Sequence, residues 1–281
     1  MTVLVTGARG MLGRDVVDVL EDAGHAVRAL GRDALDVTDP VAVGRAVRDV
    51  QAVVNCAAWT AVDDAETAER AAFAVNATGA QLLARAARAE GAPILHISTD
   101  YVFDGTAEVP YPEDAALAPR SAYGRTKAAG EWAVRAEHPE HWVLRTAWLY
   151  GAHGRCFPRT IASLAADRDE LQVVADQVGQ PTWTRDVARL VAAVLERRPP
   201  PGAYHATSSG QASWHDLATA VVAAAGSTAR VLPTSSDAYP RPAPRPAWSV
   251  LGHERWHEVG IPPIGDWADR WREAAPVVLG G

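Results

Sequence analysis

The amino-acid sequence predicts an α/β protein with a doubly wound parallel sheet and a smaller C-terminal half. Three observations carry this. Short apolar runs alternate with stretches of helical period through the first half. A glycine-rich turn follows the first run directly. After about Gly151 the rhythm changes, and proline clusters interrupt the helices. Strands that alternate with helices form parallel sheets covered on both faces and joined by right-handed crossovers.

The elements follow in order. Val3–Val5 is the first apolar run, and an amphipathic stretch continues from it to about Ala23. Ala26–Leu30, Gln51–Asn55, Pro93–Ser98 and Trp142–Arg145 are the next strands. Within Ala65–Glu90, residues Ala72, Val75, Leu82, Leu83 and Ala86 recur at helical spacing. Beyond Gly151, helices are expected at Ile161–Ala166, Thr184–Arg197 and Trp214–Ala225. Pro199–Pro201 and Tyr239–Pro246 (YPRPAPRP) interrupt them, the latter reading as a rigid loop rather than a polyproline ligand. A chain of 281 residues admits one large or two closely joined domains. The expected division is 1–150 and 151–281, with a stretch near 172–206 returning to the first unit.

Composition excludes several classes. A net charge of −7 provides no basic field for nucleic acid or an anionic membrane. Two cysteines, Cys56 and Cys156, make neither a disulfide framework nor a CxxC zinc site, and they suit a reducing compartment. No apolar run approaches the roughly 18 residues of a membrane span. The opening MTVLVTG lacks the basic and apolar regions of a signal peptide, so a cytoplasmic location is expected.

The turn Thr6-Gly7-Ala8-Arg9-Gly10-Met11-Leu12-Gly13 places glycines at a G-x-x-G-x-x-G spacing between a strand and a helix. Glycine permits the tight turn and a close approach to a pyrophosphate, and the helix N-terminus offers unpaired N–H groups to the anion. This is the mark of a Rossmann-type dinucleotide site. The second strand ends in Gly31-Arg32, where an NAD-preferring fold carries an acid for the ribose 2′-hydroxyl. Arg32, with Arg9, suits a 2′-phosphate instead, so NADPH is expected over NADH. Asp36 and Val37 are placed to meet the adenine edge.

Among 27 basic residues only one is lysine, Lys127. It follows Tyr123 by four residues, in Ser121-Ala-Tyr-Gly-Arg-Thr-Lys127. With six tyrosines in 281 residues, chance gives that spacing about 2% of the time (6/281). Residues i and i+4 share a helix face. A neighbouring ammonium favours the phenolate and brings a phenol, ordinarily near pKa 10, closer to the operating pH. Lysine's three rotatable donors also suit ribose hydroxyls better than arginine's fixed fork.

TGARGMLG with YGRTK resembles the extended short-chain dehydrogenase/reductase superfamily. Further blocks narrow the resemblance: Asn55–Glu66 (NCAAWTAVDDAE), Ser98–Gly105 (STDYVFDG), Arg145–Gly151 (RTAWLYG), Asp176–Thr182 (DQVGQPT) and Arg245-Pro246 with Ser249. Over nearly its whole length the chain is similar to the dTDP-4-dehydrorhamnose reductase family.

That resemblance implies a Rossmann domain with a smaller C-terminal substrate-binding domain, and reduction of the C4 keto group of a dTDP-linked 4-keto-6-deoxy sugar. Thr99, Tyr123 and Lys127 match the catalytic trio. Tyr123 would protonate the C4 oxygen, Thr99 would hydrogen-bond it, and Lys127 would orient the ribose and tune Tyr123. Asn55, Cys56, Ala57, Ala58 and Asn76 are expected on the cofactor side. Val62, Asp63, Asp100, Tyr101, Trp148, Gln177 and Arg245 match positions near the sugar or its diphosphate. A homodimer stays open. Two other readings remain: a silent regulatory subunit resembling that of methionine adenosyltransferase, and a sugar-nucleotide epimerase or dehydratase.

Two motifs point elsewhere. His253-Glu254-Arg255-Trp256-His257 spells H-E-x-x-H, the zinc-peptidase pattern. Pro263 stands where a third ligand would fall, so a solvated amphipathic segment is expected. Asn76-Ala-Thr78 is a glycosylation sequon, set aside for want of a signal peptide. Some relatives hold a metal between subunits, but Arg185 stands where one carboxylate would be, and no metal is expected here.

Overall fold

The computed structural model describes residues 1–280. The first half runs β1 (Thr2–Thr6), α1 (Met11–Asp22), β2 (Ala26–Leu30), α2 (Pro40–Ala46), β3 (Ala52–Asn55), α3 (Val62–Ala65), α4 (Glu69–Phe73), α5 (Ala80–Ala89), β4 (Ile94–Thr99), α6 (Ala122–Glu137) and β5 (His141–Thr146). The second half adds β6 (Leu149–Tyr150), α7 (Phe157–Asp167), β7 (Glu170–Val174), β8 (Val178–Gly179), β9 (Thr182–Trp183), α8 (Thr184–Arg197), β10 (Gly202–His205), β11 (Ser208–Ser209), β12 (Ala212–Ser213), α9 (Trp214–Ala224), β13 (Arg230–Thr234), α10 (Glu254–Glu258), β14 (Ile264–Asp266) and α11 (Trp267–Leu279).

The predicted parallel sheet has six strands in the order β10-β5-β4-β3-β1-β2. Its four central strands are buried on both faces, and the buried polar groups Ser98 of β4 and Arg145 of β5 are both bonded to Glu131 of α6. On one face Val3, Val5, Val54 and Leu144 pack with Leu12, Val16 and Leu20 of α1 and Val187, Val191 and Leu195 of α8. On the other, Leu4, Val53 and Ile94 pack with Leu83, Ala84 and Ala87 of α5. The chain leaves this layer after β5 and returns with α8 and β10, which extends the sheet beside β5.

The smaller lobe closes over a separate core of Ile161, Leu171, Trp183, Leu217, Val221 and Trp271. There β7 pairs with β13 in parallel register. Helix α7 starts earlier than the spacing predicts, because Pro158 lies in its first turn, where a missing N–H costs nothing. The expected helix Ala65–Glu90 starts at Glu69, after the short α3, and runs without a gap to Ala89 through α4, a π-turn at Ala74–Gly79 and α5. Asn76 lies within that π-turn, and its side chain bonds Trp59 and Thr126.

The H-E-x-x-H segment is not on one helical face. His253 precedes the five-residue α10, and its Nε2 lies 2.9 Å from the Thr207 hydroxyl. Nor is the segment merely solvated: Trp256 is fully buried and donates to the His205 carbonyl at 2.6 Å. Among the described residues no helix is long and apolar enough to cross a membrane.

Candidate active site

The glycine turn lies at the carboxyl ends of β1 and β3. Gly7 has φ +64°, and a Cβ there would fall 2.6 Å from the Cys56 carbonyl carbon. A Cβ on Gly13 would fall 2.2 Å from the Gly7 oxygen. The first turn of α1 carries no acidic side chain, and Gly10 supplies no side-chain cap. Its leading N–H groups therefore present a positive, uncrowded end, which fits a pyrophosphate. At the end of β2, Arg32 is exposed, while Arg9 pairs with Asp33 at 2.8 Å.

Two expected cofactor contacts are also packed into the protein. Val37 is 7% exposed and packs with Leu35 and Leu83. Asn76 is fully buried; its Oδ1 accepts from Trp59 N–H, and its Nδ2 donates to Trp59 O and Thr126 Oγ1. It ties the loop after β3 to α6. Met11, Ala57 and Ala58 are half-buried beside the turn, and Leu12 is buried in the core.

Thr99, Tyr123 and Lys127 meet beside this turn. Thr99 ends β4, and Tyr123 lies in the first turn of α6. That helix starts firmly: the Ser121 hydroxyl accepts from Gly124 N–H at 3.0 Å, and Glu66 Oε1 accepts from Ala122 N–H at 2.8 Å. Glycine is needed at 124, because a Cβ there would fall 2.3 Å from the Tyr101 carbonyl oxygen. The rings of Tyr101 and Tyr123 meet edge to face, 5.6 Å between centroids.

The polar groups differ from expectation in two respects. The Thr99 hydroxyl donates its one proton to Asp100 Oδ1 at 2.8 Å rather than standing free for a ligand oxygen. Asp100 is buried, and burial raises its carboxyl to about 6. Lys127 is 2% exposed and donates to the Ile97 carbonyl at 2.6 Å. Burial lowers its amine to about 8. Tyr123 is shifted upward by its low-polarity surroundings, with Thr99 acting in the opposite direction. In the protein alone, then, desolvation sets the direction for Tyr123, and the ammonium that the sequence expects to favour the phenolate is not among the groups acting on it.

Across the crevice, Asp63 of α3 pairs with Arg245 at 2.8 Å and accepts from Ala243 N–H at 3.2 Å. The proline-rich loop is thus tied to α3. A cavity of about 130 Å³ lies beneath it, lined by Tyr101, Ser121, Arg120 and Arg245 among others. Val62 is half-buried on the same short helix as Asp63. A larger cavity of about 820 Å³ lies by β10 and α10, and none of the sequence-predicted site residues lines it.

Trp148 holds a left-handed backbone, φ +46°, and stacks on Trp214 with centroids 3.6 Å apart. Gln177 is engaged on both ends, accepting from Trp214 Nε1 at 3.1 Å and donating to the Ser236 hydroxyl at 2.8 Å. Gln177 therefore steadies Trp214. Sequence reasoning missed Trp214, Glu66 and His96. Trp214 stands at the head of α9 as expected, but its stack on Trp148 joins residues far apart in the chain. Asp15, Asp18 and His153 offer ligand atoms within 4.8 Å of one another. Arg185 acts on Asp15 from beside them and pairs with Asp22 at 3.5 Å.

The sequence profile of the family described as RmlD substrate binding domain matches residues 1–278. A Streptomyces antibioticus protein named as a probable dTDP-4,6-dihydroxy-2-methyloxan-3-one 4-ketoreductase is 52% identical, covering 98% of this chain and 95% of its own. A dTDP-4-dehydrorhamnose reductase of Streptomyces griseus is 49% identical, covering 99% of this chain and 94% of its own. The crystal structure of a Bacillus anthracis dTDP-4-dehydrorhamnose reductase in complex with NADP superposes with a TM-score of 0.94 at 33% identity, covering 97% and 98% of the two chains.

Proposed function

The chain belongs to the RmlD family of dTDP-4-dehydrorhamnose reductases, and from that premise we propose that it reduces the C4 ketone of a dTDP-4-keto-6-deoxy sugar with NADPH. The observation that carries the reading is Tyr123 beside Thr99 at the carboxyl end of β4, with Lys127 one helical turn on and next to Cys56, which abuts the glycine turn. We place the chemistry in the cytoplasm, where the free thiols of Cys56 and Cys156 persist.

Gly7, Gly10, Gly13 and the N-terminus of α1 would hold the pyrophosphate, with Arg32 and Arg9 near a 2′-phosphate. When bound, the reduced nicotinamide supplies the hydride that C4 receives. Tyr123 supplies the proton to O4, so ketone, hydride and proton sum to the alcohol. The Thr99 hydroxyl, 2.8 Å from Asp100 Oδ1, would turn from that carboxyl to donate to O4 as charge develops there. Lys127, one turn after Tyr123, would orient the ribose. Trp148, backed by Trp214, would bound the sugar, and Arg245 would meet the diphosphate.

Arg245→Ala tests the last assignment. A charge-assisted hydrogen bond contributes about 1.5–3 kcal/mol, so KM for the dTDP sugar is expected to rise roughly 10- to 100-fold with kcat changed less. An unchanged KM would remove Arg245 from the diphosphate site.

The function itself is tested by NADPH oxidation against a panel of dTDP-4-keto sugars, with product configuration read by NMR. The relatives' names span two keto sugars, so both belong in the panel. No oxidation with any of them, together with stoichiometric copurification of a synthetase, would favour a silent regulatory subunit.

A further inference from the structure

His96 lies on β4 beneath the crevice, fully buried, and the chemistry above gives it no part. Its ring nitrogens face two different groups. Nδ1 is 3.0 Å from Asn55 Nδ2, and Nε2 is 3.4 Å from Lys127 Nζ. The Asn55 amide is oriented by its other end. Its Oδ1 accepts from Ala57 N–H at 3.1 Å and from the Thr6 hydroxyl at 2.7 Å. A backbone N–H can only donate, so the atom facing it is the oxygen and the NH₂ group faces His96. Nδ1 must then accept. A neutral imidazole carries one proton, which falls on Nε2 and points at Lys127. Burial, helped by Lys127, holds the ring well below the range in which it would take a second proton.

Lys127 therefore meets an N–H. An ammonium has three donors and no acceptor. One of them serves the Ile97 carbonyl, and toward His96 a donor opposes a donor. A neutral amine has a lone pair, into which Nε2–H can donate. The other titratable groups facing Lys127 are few. The Cys56 thiol comes from the loop after β3, and Glu131 lies one turn on in α6. The Glu131 carboxylate is committed to Arg145 at 2.8 Å and to the Ser98 hydroxyl at 2.5 Å. Tyr123, one turn before, is held neutral by its surroundings.

We propose that His96 is a positioning residue that makes Lys127 a titrating group rather than a permanent cation, its Asn55-held Nε2–H opposing the ammonium and serving the amine. Only the link to turnover rests on the reductase reading: a reaction that takes up one proton per cycle gains from a lysine that exchanges its proton near neutral pH.

The chain's composition makes the test direct. Lys127 is its only lysine, so protein labelled with [ε-¹³C]lysine gives one side-chain signal, and its titration reads one group without ligand or turnover. The wild-type midpoint is expected near 8. His96→Gln, which can turn a carbonyl oxygen toward the ammonium, is expected to raise it by about one pH unit, a tenfold change in proton affinity. His96→Asn keeps an acceptor for Asn55 and lacks the Nε2–H, and a smaller rise is expected. An unchanged midpoint in folded variants would overturn the proposal. Should both variants fail to fold, the imidazole ¹⁵N spectrum of the wild type decides: a proton on Nε2 of His96 supports it, and a proton on Nδ1 overturns it. Neither result depends on which sugar, if any, is reduced.

Discussion

Tyr123→Phe is expected to lower kcat for keto-sugar reduction by roughly 10²- to 10⁴-fold, the usual contribution of a positioned proton donor. The substitution removes one oxygen and leaves the ring. Its edge-to-face contact with Tyr101 survives, and so does the start of α6, which Ser121 and Glu66 hold through backbone groups. NADPH affinity should therefore stay close to wild type. Steady-state kinetics and fluorescence titration of the cofactor separate the two effects. A wild-type kcat would sink the assignment of Tyr123 as proton donor.

Lys127→Arg follows the chain's own preference, since every other basic residue is arginine. It should nonetheless cost about 10²-fold or more in kcat/KM, the scale of a 1 Å misplacement in a tight site. The pocket explains why. Lys127 is 2% exposed, with a single carbonyl acceptor at 2.6 Å and an imidazole at 3.4 Å. A planar guanidinium brings five donors into a space that satisfies few of them. It also stays charged at every working pH, whereas the Lys127 amine is held near 8. Overpacking should take about 1–3 kcal/mol of stability as well. Near-normal activity would return Lys127 to the status of an ordinary basic residue.

Stability carries a matching pH signature. Burial lowers Lys127 from 10.5 to about 8, so between those values the unfolded chain binds more protons than the folded one. Stability from this group therefore rises with pH across that window and is flat below it. Lys127→Arg should lack the rise.

Much of the fold was legible because its signals are local. Val3–Val5 and Pro93–Ser98 are apolar runs of strand length, and Gly7, Gly10 and Gly13 sit where a turn must bring backbone close to a ligand. The pair Tyr123 and Lys127 is local too, since helical spacing alone puts both on one face. The partners of those residues were not legible. Asn76 read as a cofactor contact, and only the packing of α6 against the loop after β3 shows its amide spent on Trp59 and Thr126. Gln177 read as a sugar contact, and Trp214 and Ser236, which engage it, lie far along the chain.

The amino-acid sequence by itself determined which residue types stand in the crevice, because strand, turn and helix periods fix position along one element. The tertiary structure decided their proton states. Whether Thr99 gives its proton to Asp100, and whether Lys127 meets a lone pair or an N–H on His96, depends on burial and on groups brought together from β1, β3 and β4. Desolvation and hydrogen-bond direction are properties of a three-dimensional environment, and no spacing along the chain encodes them.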